Sequence, residues 1–180
     1  MIPFRRLSDG SIVGRFTSHE VALLRELLDQ LSELLGQRLP LRRSPGQVIR
    51  DEAGNPVGSP LVLSPESTAP ADPALARLLP DAYRDDAAAS AEHRQLTEAG
   101  LITRKLDSAA FVAESLAQGA VELDEAGAIS WLRVLGDLRL ALAARLGIES
   151  DDDAERIGDA EPLYGWLGWL QGSLVEVLDA

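Results

Sequence analysis

Seven of the ten prolines of this chain lie between residues 37 and 73: Pro40, Pro45, Pro56, Pro60, Pro65, Pro70 and Pro73. Proline removes a backbone donor and clashes with the turn before it, so no long helix crosses that stretch. The prolines therefore separate a short N-terminal block from a long C-terminal one, and each block has its own periodicity.

In the N-terminal block, "FRRLSDGSIVGRF" reads as a β-hairpin. Asp9-Gly10 is a strong two-residue turn signal and would pair Leu7 with Ile12 and Arg6 with Val13. Thr17 and Glu20 then have the spacing of a capping box. The helix that they open carries Val21, Leu24, Leu28, Leu31 and Leu35 at alternating three- and four-residue steps, and Gly36 is a plausible stop. Leu23, Leu27 and Leu34 widen that stripe, which makes it a core face rather than a coiled-coil seam. Inside the proline-rich loop, "QVIRDEAGNPVGSPLVL" has two short β-branched runs that would suit a second, irregular hairpin.

The C-terminal block reads as helical throughout. Asp72 is a cap with Pro73 at the first helical position. The segment from Asp85 to Gly119 is one long helix, or two with Gly100 as the break. Asp124 caps a further helix that ends at Gly147, and Pro162 opens the last one, with a stripe of Leu163, Trp166, Leu167, Leu170, Leu174 and Leu178. The expected fold is mainly α: a single-domain helical bundle over residues 1–180. It would comprise a short N-terminal β-hairpin (1–16), a helix (17–36), a long Pro-rich loop (37–71) and a helical core (72–178). A length of 180 residues suits one domain with a sizeable core.

Little in the chain points to catalysis. There is no cysteine, which excludes disulfides, thiol nucleophiles and thiolate metal sites. His19 and His93 are the only imidazoles and form no metal-ligand pair. "SDDDAER" lacks the glycine and the later acid of a calcium loop. Glycine-rich phosphate loops and nucleophile elbows are missing. "LTEAGLITRK" resembles the end of a winged-helix unit, but helix-forming sequence follows where the wing strands should be. No enzyme activity, cofactor or metal is expected. The N-terminus has no signal-peptide apolar stretch and no apolar run spans a bilayer, so the expected location is cytoplasmic, with no membrane partner.

The net charge of −12 is uneven: residues 1–50 hold eight arginines against five acids, and the rest is strongly acidic. Arg5, Arg6, Arg15, Arg42 and Arg43 are the candidates for contact with a partner or with nucleic acid. An acidic body makes any nucleic-acid binding weak and local.

One residue looks misplaced. In "WLRVLGDLRLALAARLGI", Trp131, Val134, Leu135, Leu138, Leu142 and Leu146 share an apolar arc, and Arg139 lies inside it. A cation facing a core has to be paired. Asp137 lies on another side and shares an outward face with Arg133, so the partner is sought on a neighbouring helix, and Glu92 is the candidate. The alternative is that Arg139 lines a site for an anionic ligand. Trp131, Trp166 and Trp169 read as core.

The segments "DPALARLLPDAYRDDAAASAEHRQLTEAGL", "ISWLRVLGDLRLALAARLGI" and "LYGWLGWLQGSLVEVL" together resemble the actinobacterial AosR-type family, labelled oxidative-stress transcriptional regulators. Tyr83, Asp86, Glu92, Arg94, Asp137, Arg139 and Arg145 fit that family's pattern, whereas His93, Gln95 and Gly136 depart from it. The resemblance implies a regulator acting through protein contacts, with the transcription machinery the favoured partner. Direct DNA binding through the basic N-terminal region is an alternative, as is an adaptor role in proteolysis, implied by a protease-adaptor gene neighbourhood. A homodimer is left open. The thiol–disulfide switch associated with the label has no cysteine to use here.

Overall fold

A computed structural model describes residues 2–39, 68–116, 119–150, 152–153 and 161–179. Its elements are β1 (Ile2–Arg6), β2 (Ile12–Arg15), α1 (Ser18–Gly36), α2 (Pro73–Leu78), α3 (Ala87–Ser115), β3 (Ala120–Leu123), α4 (Glu125–Leu146) and α5 (Pro162–Leu178). The fold is mainly α, with one small antiparallel sheet ordered β1-β2-β3. The second hairpin expected within residues 47–63, and Arg42 and Arg43, lie outside the described residues.

The hairpin is present, but its register is shifted by one residue from the expectation. Arg6 pairs with Ile12 and Arg5 with Val13. The turn is a three-residue loop, Ser8–Asp9–Gly10, closed by the Leu7 N–H donating to Ser11 O at 2.7 Å. Gly10 takes the left-handed position, with φ at +89°. Asp9 Oδ1 accepts from both the backbone N–H and the hydroxyl of Ser11. That local bonding favours the glycine-bulge loop over the tighter two-residue turn.

The third strand was not expected from the sequence. Val121 and Leu123 face the core while Ala120 and Glu122 face out, but an alternation of four residues is too short a signal to distinguish from a loop. The strand is joined to β2 where the Phe16 N–H donates to Gly119 O at 2.7 Å.

Helix signals were more legible. Thr17 and Glu20 form the capping box. Asp72 caps α2 by accepting from the Ala74 and Leu75 N–H groups, and Asp124 caps α4 at Gly127. Gly147 closes α4 with φ at +68°, and the Ile148 N–H returns to Ala143 O. Gly100 is no break: α3 runs through it without interruption. One exposed glycine costs a helix only about 1 kcal/mol, and Ile102, Ala109 and Val112 are buried beyond it.

Helix α4 sits at the centre, packed against α1, α2, α3, α5 and β3. Trp131 is fully buried there. It meets Phe4 edge-on at 5.2 Å and stacks on Phe16 at 5.5 Å. Its indole N–H donates to Ser115 Oγ at 2.9 Å, so this aromatic joins α4, the sheet and the end of α3. Trp166 is half-buried and packs against this core, whereas Trp169, 46% exposed, differs from the core expectation.

Two glycines of the hairpin region test this geometry. A Cβ on Gly119 would lie 2.8 Å from Phe16 O, in addition to its positive φ, whereas a Cβ on Gly10 meets only open space. Gly10→Ala is expected to cost about 1–2 kcal/mol from backbone strain alone. Gly119→Ala is expected to cost clearly more in urea denaturation, and equal costs would refute the close approach. A second expectation concerns acid. The Asp72 carboxyl is held below its ordinary value by the Leu75 N–H first, then by Arg145 and the Ala74 N–H. Its contribution is therefore fully present above the unfolded value of 3.8 and is lost as pH falls through the depressed native value. Asp72→Ala should lower stability at neutral pH and flatten the acid limb of a stability–pH curve.

Candidate functional site

Two polar constellations are built into the helical layer. The first is closed. Glu98 on α3 is buried, and its Oε1 accepts from Arg38 Nε at 3.0 Å and Nη2 at 2.8 Å. Its Oε2 accepts from Arg94 Nη1, which also donates to Leu79 O, and Arg94 Nη2 donates to Asp81 at 2.6 Å. Burial pulls the Arg94 guanidinium towards losing its proton, but the bonds to Glu98 and Asp81 outweigh that, and its pKa is raised. A carboxylate bracketed by two guanidiniums ties the C-terminal end of α1 and the segment after α2 to α3. This cluster holds structure together, although Arg94 Nε, like that of Arg139, is buried with no acceptor among the described residues.

The second constellation is open. A cleft of about 410 Å³ lies between α2, α4 and α5. Arg139, half-buried on α4, donates from Nη1 to Gln171 Oε1 at 2.7 Å and from Nη2 to the Tyr164 hydroxyl at 3.2 Å. Its guanidinium carbon also lies 4.8 Å from the Tyr164 ring centroid, within cation–π range. Its Nε is buried and has no acceptor among the described residues. Arg77, from α2, also lines the cleft and donates to Ile148 O at 2.5 Å. Leu140, Ala143 and Ile148 supply an apolar wall, with Ser150 and the exposed Glu149 beside them.

The expected pair between Arg139 and Glu92 does not form. Glu92 is exposed. The inward line of α3 runs through Ser90, Arg94, Glu98 and Ile102, two residues away from the line through Glu92. Arg139 turns instead to the two neutral groups on α5. Asp137 also departs from expectation: it is buried and accepts from Lys105 Nζ on α3 at 2.6 Å. A single apolar arc fits a helix with one inward face, whereas α4 has neighbours on several sides. The Arg94–Glu98 pair was missed, although its signal was present as opposite charges four residues apart on the Ser90–Ile102 line.

The three described arginines of the N-terminal candidates fall on two faces of the sheet. Arg5 and Arg15 are exposed, and their pairings with Val13 and Ala120 put both on the outer face of the sheet. Glu122, opposite Val13, shares that face. Arg6 pairs with Ile12 and donates to Val177 O at 3.0 Å, where a cation suits the C-terminal end of α5.

Comparison with known proteins sets this geometry in a family. Residues 1–178 match the family described as Domain of unknown function (DUF2017). The chain belongs to that family. Over 183 residues it is 33% identical to a protein of Mycobacterium leprae named putative oxidative stress regulator AosR, covering 90% of this chain and 80% of that one. It is 34% identical over 181 residues to the oxidative stress regulator AosR of Mycobacterium bovis, covering 89% and 78%. The Mycobacterium tuberculosis protein of that name matches to the same extent. No solved structure matches. In this DUF2017 chain, no helix among the described residues is long and apolar enough to cross a membrane. No group of three or more His, Asp or Glu side chains among them is placed to hold a metal ion.

The closed cluster and the exposed Glu92 give opposite expectations for this DUF2017 chain. Glu98→Ala removes the buried carboxylate that Arg38 and Arg94 share and should cost about 3–5 kcal/mol. Glu92→Ala should stay within about 0.5 kcal/mol of the unaltered chain. Chemical denaturation of the two variants checks both, and a large loss from Glu92→Ala would restore the discarded pair.

Proposed function

We propose that this chain is a non-enzymatic regulatory protein of the oxidative-stress response. In this reading it works in the cytoplasm, as a single domain, through contacts with other proteins, and the transcription machinery is the favoured partner. The names of its relatives support the regulatory role. The observation that carries the contact role is Trp169. Helix α5 has one charged residue, Glu176, along its 17 residues. Its inner face buries Tyr164, Leu167, Leu170 and Leu174. Its outer face leaves Gly165, Trp169, Gly172 and Val175 exposed, and Leu140 of α4 is exposed as well. A large aromatic kept in water on so apolar a helix has the character of an interface anchor.

Direct DNA contact is the weaker reading. Arg5 and Arg15 share their face with Glu122, Arg6 is engaged with α5, and the net charge is −12. Any such binding should be weak and should fall steeply with salt.

The test is capture from the native cytoplasm with mass spectrometry, run with the unaltered chain and with Trp169→Ser. RNA polymerase subunits or a sigma factor should be recovered by the first and reduced about tenfold or more with the second, as for loss of an interface anchor. Recovery of protease components instead would favour the adaptor role. Polymerase retained equally by Trp169→Ser would remove α5 from the contact.

A further inference from the structure

We infer that the cleft between α2, α4 and α5 is a binding site for a small carboxylate with an apolar body. The inference stands on the cleft itself and does not depend on the regulatory reading.

Charge is the first argument. Among the described residues, Arg38, Arg94, Lys105 and Arg145 pair with acids. Among the same residues, Arg6, Arg77 and Arg139 donate only to neutral oxygens. Of these three, Arg77 and Arg139 line this one cleft, and the exposed Glu149 that also lines it pairs with neither. A half-buried guanidinium left without a carboxylate keeps a desolvation cost that a bound anion would offset.

Donor capacity is the second. A guanidinium has five N–H groups. Arg139 spends one on Gln171 and one on Tyr164. The Nε is buried against Gly168, which leaves one N–H on each Nη for a ligand, and a planar guanidinium suits a carboxylate. Gln171 and Tyr164 hold the fork in place from α5, and the guanidinium lies over Gly168, with contacts from 3.5 Å to the site of an added Cβ. Such a fixed fork loses little entropy when it binds.

The wall is the third. Leu140, Ala143 and Ile148 line the cleft beside the arginines. An inorganic anion would leave that surface wet, whereas an alkyl or aryl carboxylate would cover it. A volume of about 410 Å³ falls within the range of small-molecule sites.

The test is titration of the full chain, followed by amide chemical shifts and calorimetry, with hexanoate, its neutral analogue hexanamide and inorganic phosphate. Hexanoate should bind saturably and shift the amides of Gly136, Ala143, Tyr164 and Gln171. Hexanamide and phosphate should each bind about tenfold or more weakly. Arg139→Gln should abolish the preference for hexanoate over hexanamide, and Arg139→Lys should restore part of it. If Arg139→Gln loses the folded spectrum, Leu140→Asp serves instead, because Leu140 is exposed and the new charge repels the ligand. Phosphate binding as well as hexanoate would reduce the cleft to a general anion site and overturn the proposal. So would equal binding of hexanamide, or hexanoate shifts lying outside the cleft.

Discussion

The fold depends on one helix being surrounded. Helix α4 meets α1, α2, α3, α5 and β3, and its exposed line is confined to Ala126, Arg133 and Leu140 with the two ends of the helix. Helices of ordinary amphipathic character have a solvent side on which any polar residue is tolerated. On the covered faces of α4 a polar residue has to be answered by a particular neighbour. Asp137 is answered by Lys105 of α3, the only lysine in the chain. Arg145 is answered by Asp72, which also caps α2. These pairs set the azimuth of α4 relative to α3 and α2, while Trp131 sets its depth against Phe4 and Phe16.

Arg139 is the member of that set whose answer is incomplete. Its neighbours on α5 are an amide and a phenol, which orient the guanidinium without neutralising it. The closed cluster around Glu98 shows the opposite solution within the same chain, with one carboxylate shared by two arginines. Burial is therefore not what separates them. The difference is the supply of acid: Glu98 and Asp81 converge on Arg94, and no acid of the described residues comes into contact with Arg139.

What the sequence disclosed follows from the range of each signal. Caps at Thr17, Asp72 and Asp124, the glycine stop at Gly147 and the proline start at Pro162 are local chemistry, and all are observed. The leucines of α1 form a single stripe against a single core, so Leu24, Leu28, Leu31 and Leu35 were readable as buried. Where several faces are covered, periodicity loses its meaning, and both the partner of Arg139 and the burial of Asp137 escaped. The inward line of α3 was mistaken for a related reason: its first half is Ser90, Arg94 and Glu98, polar residues that satisfy one another or nearby backbone, while exposed Leu96 offered a false apolar line. The third strand could not be seen because its partner, β2, lies more than a hundred residues earlier in the chain.

Helix α5 connects the two surfaces on which the functional readings rest. Tyr164, Gly168 and Gln171 meet Arg139 on one side, and Trp169 stands exposed on the other. Its own helical stability is low: it carries Gly165, Gly168 and Gly172, each costing about 1 kcal/mol against alanine, and its N-cap residue Glu161 makes no side-chain cap bond. The helix is held by packing on α4 and β1, with Arg6 binding its last turn. A group bound at Arg139 would thus act on the element that presents Trp169. It would alter a partner's affinity only to the extent that it binds one placement of α5 better than another. Helix α5 thus joins the half-buried Arg139, which no acid of the described residues pairs with, to the exposed Trp169.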